Sequence, residues 1–459
     1  MKRLIAGITL LVLTTGGVYG YMVSRRERTY NVLVTQGEAA LAADNMSSAV
    51  EAFSGAIALK PDAMLGHLKR GEAYRRRGEM DAAERDLLRA AELDPTATRP
   101  QEELGDVAIA QKHYGAAADR YRAYVRIDDR APRVLYKLAY AEYNAGRPSA
   151  ALDPLQKALG MDDRLAEGYY LLGLCQRALQ RLEPARSAFE HALSIQPTLF
   201  RAREELADLY GVQGKTEKRL DQLEALAALD PGSGRAVALG LAYARAGQVD
   251  RAVLTLARAS ERYSDQQDAY LALGRVWLQV AQERGDHIAL SKAMGALESA
   301  MSADNSEAQA LFGRALLLAH DAQSAERMLL DATSRRPVDP ATYTVLAEAA
   351  EKVGHHDVAR EALLDHLALD PGTDSHRTAA EDARIAMLSL RLNDPASAAR
   401  YFLAAADAAN DPAYLARAAD AQFRSGAPSA ARATAQRALE RDPHNAIALG
   451  IKKRTGGTT

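Results

Sequence analysis

The sequence contains little cysteine and few aromatic residues, and its charge is nearly balanced. Cys175 is the single cysteine among 459 residues, so an intrachain disulfide and a zinc or iron–sulfur site built from cysteines are excluded. The formal net charge of −2 gives no support for a general nucleic-acid-binding protein, and we expect no nucleic acid as a partner. Aromatic residues make up only 6% of a chain that is 48% hydrophobic and 26% charged, which indicates a soluble, helical protein.

What the sequence does contain is a repeat of 34 residues. A proline or an aspartate marks the same place in six successive units, and these residues are Pro61, Pro95, Asp129, Asp163, Pro197 and Pro231. Within the unit from Met64 to Ala97, small and apolar residues recur with helical spacing, namely Leu68, Gly71, Tyr74, Ala83, Leu87 and Ala90. Gly78, between the two runs, suits a left-handed residue that ends the first of two helices.

Helix pairs of this kind cannot fold alone. Gly71 and Ala83 lack bulk, so the paired helices can approach each other closely, and Pro95 cannot continue the second helix. One pair leaves apolar surface uncovered, so neighbouring pairs must stack on it. The repeat therefore predicts an all-α fold that grows by adding units.

The pattern resembles the tetratricopeptide repeat, a helix–turn–helix unit. The fifth unit matches that family most closely, through Tyr169, Leu172, Gly173, Ala185, Phe189, Ala192 and Pro197. The resemblance covers residues 30 to about 445 and implies a right-handed α-solenoid of about twelve helix hairpins, preceded by one transmembrane helix. The predicted parts are an N-terminal anchor or uncleaved signal at 1–29, repeats 1–6 at 30–232, repeats 7–12 at 233–445, and a capping turn with a disordered tail at 446–459.

The eighth repeat is longer than the others. Its alanine signature comes seven residues late, at Ala293, Leu297 and Ala300. Seven residues are about two helical turns, so we expect both helices of this repeat to lengthen by one turn, with the turn displaced to Glu283–Asp286. Pro337 and Pro371 close the next two repeats, and a polar joint from Gly372 to Thr378 follows.

The first 23 residues differ in kind from the rest. Lys2 and Arg3 precede an uncharged run from Leu4 to Val23, and about 20 helical residues span the hydrocarbon core of a bilayer. The run predicts a single-pass anchor in a bacterial inner membrane, with a cleaved signal peptide as the alternative. The lysine and arginine before the run favour repeats outside the cytoplasm, whereas Arg25, Arg26 and Arg28 after it favour repeats inside, and we lean to the former.

No catalytic set stands out in the sequence. His355-His356-Asp357 lies in a turn where adjacent histidines point apart, so a solvated turn is favoured over a metal site. Gly232-Ser233-Gly234 lacks the strand–helix context of a phosphate loop. His366 replaces the usual alanine on a second helix, which favours a packed histidine. The sequence therefore predicts a protein that is not an enzyme, with no cofactor, no metal and no small-molecule substrate.

The resemblance implies that the first helices line a concave groove that binds partner proteins. Carried onto the fourth and fifth repeats, the groove positions include Arg133, Tyr136, Tyr140, Tyr143, Asn144, Tyr170 and Arg177. Tyr136, Tyr140 and Tyr143 follow the i, i+4, i+7 spacing of one helical face. Tyrosine and arginine often provide most of the binding energy of an interface. The alternative is that these rings pack internally between repeats.

Arginines of the second and third repeats form another candidate surface. Arg75 and Arg76 lie at groove positions, with Arg99 on the following unit, and could bind carboxylates of a partner. The alternative is a solvated face neutralised by Glu72 and Glu84.

Two functions fit these features. The leading hypothesis is a non-catalytic scaffold that binds partner segments in its groove within a bacterial envelope complex for secretion, pilus assembly or exopolysaccharide export. The alternative is a membrane-anchored regulatory adaptor that faces the cytoplasm and controls an enzyme's turnover. The stretch from Tyr19 to Met22 looks like the anchor of the lipopolysaccharide assembly regulator of that kind, but that family ends in a module with paired cysteines, which this chain lacks.

Overall fold

The computed structural model describes residues 2–264, 266–302, 305–334, 339–369 and 375–456, with side chains from residue 18 onward except those of 375–377. Every regular element in these ranges is helical, as the repeat predicts. Pro337, Pro371 and residues 372–374 of the predicted polar joint lie outside the described residues, whereas residues 375–378 of that joint belong to a helix that begins at Ser375.

The residues up to Gln222 form one compact unit. Its helices pair in chain order, α1 with α2, α3 with α4, and so on. They are α1 (Lys2–Ala42), α2 (Met46–Leu59), α3 (Met64–Arg77), α4 (Met80–Leu93), α5 (Thr98–Ala110), α6 (Tyr114–Ile127), α7 (Pro132–Asn144), α8 (Pro148–Met161), α9 (Ala166–Ala178), α10 (Leu182–Ile195), α11 (Phe200–Val212) and the start of α12 (Thr216–Leu229).

The residues from Leu223 onward form a second compact unit with the same pairing. It contains the end of α12, then α13 (Ser233–Arg245), α14 (Val249–Arg262), α15 (Gln267–Arg284), α16 (His287–Ala300), α17 (Ser306–Leu318), α18 (Ala322–Thr333), α19 (Ala341–Val353), α20 (His356–Leu369), α21 (Ser375–Arg391), α22 (Pro395–Ala409), α23 (Pro412–Arg424), α24 (Pro428–Arg441) and α25 (Ala446–Thr455).

The close approach within each pair depends on small residues, as predicted. A Cβ atom added to Gly71 would lie 2.7 Å from Cγ of Leu87, so the first helix packs directly against that side chain. Gly173 faces the ring of Phe189 in the same way. Gly78 ends α3 with φ of 86°, the left-handed conformation that its place in the sequence predicts.

The expected lengthening in the eighth repeat is confirmed for the first helix and is wrong for the second. The first helix, α15, has 18 residues against 13 in α13, and it ends at Arg284, within the predicted turn, with Gly285 as its left-handed cap. The second helix, α16, has 14 residues, the same as α14. Compared with α14, it has more residues before the first alanine of its signature, Ala293. It ends at Ala300, because Met301 is in an extended conformation, so its total length is unchanged.

The N-terminal helix α1 continues from the predicted anchor into the first repeat without a break. Its buried face begins at Tyr30, which packs with Val34 and Ala56. Most of the predicted membrane segment, residues 4–23, falls on side chains outside the described set. Within the described residues, no helix has both the length and the apolar character needed to cross a bilayer.

The C-terminal end differs in part from the prediction. In place of a single capping turn, α25 has ten residues. Ala448 and Ile451 pack against Leu439 of α24, and this contact explains why the helix extends beyond one turn. Residues 457–459 of the predicted tail lie outside the described part of the chain.

Candidate functional site

The predicted tyrosines lie on the first helices of two successive repeats, α7 and α9. The ring centroids of Tyr136 and Tyr140 are 6.4 Å apart. Tyr140 is 37% exposed, whereas Tyr136, Tyr143 and Tyr170 are half-buried. We call these four residues the tyrosine strip.

The buried parts of the tyrosine strip contact the core. Tyr136 and Tyr143 pack against a cluster that contains Leu155 and Leu171, and the ring of Tyr170 lies 5.8 Å from that of Phe189. Burial raises the pKa of Tyr136, and nearby Glu167, Tyr140 and Tyr170 raise it further. The rings thus combine the two alternatives that the sequence left open, because one side packs internally and the other remains accessible.

Polar groups surround the tyrosine strip. Asn144 donates a hydrogen bond from Nδ2 to the carbonyl oxygen of Tyr140 (2.8 Å), and Arg177 pairs with Glu205 of α11. Arg133 is exposed at the start of α7. An accessible ring with a polar edge is suited to a partner segment that buries an apolar side chain and hydrogen-bonds beside it.

The candidate carboxylate-binding arginines contact carboxylates of the chain itself. Glu103 of α5 is 1% exposed. It accepts a hydrogen bond from Arg75 Nε and pairs with Arg99 Nη2, each at 2.8 Å. Arg76 pairs with Glu72 at 2.8 Å. A carboxylate of a partner would have to compete with these bonds, so the predicted role stays a prediction.

This pairing extends along the first helices. Lys137 of α7 donates hydrogen bonds to Glu102 (2.8 Å) and Asp106 (2.7 Å) of α5, and Tyr121 donates one to Asp106 (2.6 Å). Buried carboxylates at repeat junctions are therefore matched by cations from adjacent helices. Spacing along one repeat could not identify these partners, because they come from the neighbouring repeat.

Two clefts that the sequence analysis missed lie between first helices of the second unit. One, of about 290 Å³, lies between α17 and α19 and is lined by residues that include Glu307, Leu311, Arg314, Thr342 and Val345. The other, of about 190 Å³, lies between α13 and α15 and is lined by residues that include Val237, Leu241, Asp268, Leu271 and Arg275. The signal in the sequence is an acidic residue and an arginine seven positions apart on each of α15 and α17.

The charges of these clefts are only partly matched. Arg275 of α15 pairs with Glu307 of α17. Arg314 is half-buried, and no ion pair or hydrogen bond among the described residues involves it. A half-buried guanidinium next to apolar walls is suited to a ligand that offers both a carboxylate and an apolar group.

The remaining residues considered from the sequence are His355, His366 and Cys175. His355 lies 2.8 Å from Glu326 through Nδ1, and His366 is 1% exposed beside Glu381. No group of three or more metal-ligating side chains occurs within the described ranges. Cys175 is fully buried, and this burial raises the pKa of its thiol to about 12.

A sequence model for the family described as tetratricopeptide repeat matches residues 34–98, 102–166, 136–200 and 237–280. These matches coincide with the hairpins whose geometry is given above. The chain is a tetratricopeptide-repeat protein. Proteins built from this repeat are generally non-catalytic scaffolds for protein interactions.

A curated relative contains the same repeat. The small glutamine-rich tetratricopeptide repeat-containing protein 2 of Mycosarcoma maydis is 28% identical over 96 residues, 21% of this chain. The match covers only 27% of that relative's length.

Solved structures of tetratricopeptide-repeat proteins are similar in fold alone. A protein from Parabacteroides merdae is 16% identical, with 54% of this chain and 99% of that chain covered at a TM-score of 0.40. PilF of Pseudomonas aeruginosa is 20% identical, with 46% and 96% covered at 0.37. YrrB, a tetratricopeptide-repeat protein with an unusual peptide-binding site, is 22% identical, with 40% and 96% covered at 0.37.

Proposed function

We propose that this tetratricopeptide-repeat protein is a scaffold that binds extended segments of partner proteins along its first helices, with Tyr140 as the central contact of the first unit. The observation that carries the proposal is an exposed ring supported by half-buried rings on the same helix face. A tyrosine held in this way loses little conformational entropy when it is covered, so it contributes strongly to binding.

The test begins with a displayed peptide library selected on the full chain, followed by fluorescence anisotropy with a selected peptide. Tyr140→Ala should weaken binding by at least about tenfold, since aromatic anchors often contribute 2 kcal/mol or more. Tyr114, half-buried at the start of the second helix α6, provides the matched control, and Tyr114→Ala should leave the affinity unchanged. Equal affinities for wild type and Tyr140→Ala, with unchanged helicity, would remove the tyrosine strip from the proposal.

The clefts of the second unit extend the proposal to a second contact region. Each offers apolar walls, one arginine and at least one acidic residue, so each could accept an apolar side chain next to a charged group. A peptide selected on a Tyr140→Ala chain should therefore lose affinity on Arg314→Gln. Selection that yields no peptide sensitive to Arg314 would exclude this region.

We also propose that the scaffold is anchored to a membrane and acts within a bacterial envelope complex, with repeats outside the cytoplasm. The support is the exposed apolar side chains of α1, which cover several sides of the helix at Tyr19, Tyr21 and Met22 before Arg25 and Arg26. Tyrosines next to arginines are typical of the membrane–water interface. Membrane fractionation and a topology reporter fused after Thr459 test this, and a reporter active only in the cytoplasm would favour the regulatory adaptor instead.

A further inference from the structure

The two clefts between first helices of the second unit share a row of four charged residues. In chain order these are Asp268 and Arg275 on α15, then Glu307 and Arg314 on α17. The first two line the cleft between α13 and α15, and the other two line the cleft between α17 and α19. The signs alternate along the row, so the pairing within it decides which charges are available to a ligand.

The two inner charges of this row neutralise each other. Arg275 of the first cleft pairs with Glu307 of the second, so the pair links the two clefts. An exposed ion pair of this kind contributes little to stability, but it compensates both of its charges. A ligand therefore gains little charge attraction from the middle of the row.

The two outer charges of the row have no such partner. No ion pair or side-chain hydrogen bond within the described ranges involves Asp268 or Arg314. Asp268 is exposed in the first turn of α15, and Arg314 is half-buried. Asp339, another acid at the Arg314 cleft, accepts a hydrogen bond from the N–H of Ala341 (3.0 Å). The row thus ends in one anion and one cation that a ligand can pair with.

Each outer charge lies beside apolar side chains. Leu241 and Leu271 line the cleft that contains the outer acid, and Leu311 and Val345 line the cleft that contains the outer arginine. All four are half-buried, so part of each side chain is open to a ligand. Apolar surface next to a single charge is suited to a ligand residue of opposite charge with an apolar neighbour.

The helix geometry sets the distance between the outer charges. Successive first helices run in the same direction, because short turns join each one to an antiparallel second helix. Asp268 precedes Arg275 by seven residues and Arg314 follows Glu307 by seven, so the outer charges lie on opposite sides of the inner pair. Seven helical residues rise about 10 Å, which places the outer charges roughly 20 Å apart. An extended chain advances about 3.3–3.6 Å per residue, so roughly six residues span this distance.

We propose that the second unit binds an extended peptide with a basic and an acidic residue about six positions apart, each next to an apolar residue. The basic residue pairs with Asp268 and the acidic residue with Arg314, while their apolar neighbours enter the two clefts. The inference rests on the proposed binding of partner segments along the first helices, and it adds the charge pattern of the segment. A segment with two charges of the same sign would place one of them next to a like charge.

The test selects displayed dodecapeptides on the full Tyr140→Ala chain, so that the tyrosine strip does not dominate, and measures the best peptide by fluorescence anisotropy. Adding Arg314→Gln to this chain should lower the affinity about tenfold, because a half-buried guanidinium loses a charge-assisted contact. Adding Asp268→Asn should lower it about threefold, because an exposed pair contributes less.

The outcomes separate this inference from the proposed function. A peptide that is sensitive to Arg314→Gln but unaffected by Asp268→Asn would overturn the charge pattern and leave the second contact region in place. Selection that yields no peptide sensitive to Arg314→Gln would overturn both. The scaffold function would still stand if peptides selected on the wild-type chain depend on Tyr140.

Two matched variants separate the outer charges from general charge attraction. Asp250, like Asp268, is an exposed acid in the first turn of its helix, but α14 is a second helix, so Asp250→Asn should leave the affinity unchanged. Arg275→Gln combined with Glu307→Gln removes the inner pair without changing the net charge, and should alter the affinity less than about twofold. Losses in these controls as large as those from the outer charges would overturn the proposal.

Changes in the peptide give a readout that a purely structural role of these charges would not produce. An Arg314→Glu chain should prefer, by about tenfold, a peptide whose acidic residue is replaced by lysine. Removing three residues between the two charges of the peptide should cost one of the two contacts, because the remainder is too short to span roughly 20 Å. Unchanged binding of the shortened peptide, or an Arg314→Glu chain that still prefers the original peptide, would overturn the proposal.

Discussion

The two units match their charges in different ways. In the first unit, Glu102 and Glu103 of α5 are buried between first helices, and each is paired with two cations, as Glu103 is with Arg75 and Arg99. In the second unit, the corresponding pair between Arg275 and Glu307 is exposed on both sides, at 43% and 54% of the two side chains. The same helical repeat therefore supports two kinds of junction.

This difference separates charges that hold repeats together from charges that are available to ligands. Buried pairs are costly to break, because the remaining partner is left desolvated and uncompensated. Exposed pairs contribute little to stability and can exchange for other ions. We therefore expect the first unit to bind through its tyrosine strip, and the second unit to offer arginines to ligands.

The largest expected effect tests the packing on which both units depend. Phe189 is fully buried against Gly173, so Phe189→Ala should lower the free energy of unfolding by about 3–5 kcal/mol. Leu329, which faces Gly313 in the second unit, is smaller, and Leu329→Ala should cost about 2–4 kcal/mol. Urea denaturation measures both, with the exposed Leu254→Ala as a control within about 0.5 kcal/mol. A greater loss from Leu329→Ala would contradict this order.

The next effect tests the charge comparison itself. Glu103→Gln keeps the shape of the side chain but removes the charge between Arg75 and Arg99, and should cost about 2–4 kcal/mol. Glu307→Gln removes an exposed partner of Arg275 and should cost less than about 1 kcal/mol. Denaturation of the two variants at low and high salt gives both values. Equal losses would show that burial of the acid does not distinguish the units.

The sequence predicted the features that one repeat determines alone. The close approach of the paired helices at Gly71 and the left-handed Gly78 follow from residue size and backbone preference within 34 residues, and both are confirmed. The pairing of Arg75 with Glu103 could not be predicted, because the two residues belong to different repeats and meet only when these repeats stack. The predicted lengthening of α16 is wrong for a related reason. The number of extra residues in the repeat does not determine where the helix begins and where it ends.

A smaller effect concerns two carboxyl groups, one in each unit, whose contributions to stability change with pH in opposite directions. Burial, and then the nearby Glu381, raises the pKa of Asp382 in α21 to about 6. The folded unit therefore binds this proton more tightly than the unfolded chain, so stability falls as pH rises from about 4 to about 6. Asp382→Asn should raise stability by about 1 kcal/mol at pH 7.5 and leave it unchanged at pH 4. In the first unit, hydrogen bonds from Arg186 lower the pKa of Glu183, which gives the opposite trend.

Thermal unfolding at the two pH values measures the Asp382 effect. Glu381 is the charged neighbour that raises the pKa of Asp382, and it lies 3.4 Å from His366, so Glu381→Gln serves as the control. It removes the smaller of the two influences on Asp382 and should produce a smaller shift at pH 7.5. Stabilisation by Asp382→Asn that is equal at both pH values would rule out this protonation as the cause.

The smallest expected change in the free energy of unfolding is that of Arg314→Gln. The test asks whether this arginine contributes to stability at all. The guanidinium is half-buried between α17 and α19 without an ion pair among the described residues, so Arg314→Gln should alter the free energy of unfolding by less than about 0.5 kcal/mol. Arg75→Gln, which leaves buried Glu103 with one cation, should cost about 1–3 kcal/mol. If Arg314→Gln destabilises the fold as much as Arg75→Gln does, its charge is structural. A near-zero loss in stability, together with reduced binding of a peptide selected on the second unit, would instead assign that arginine to ligand binding.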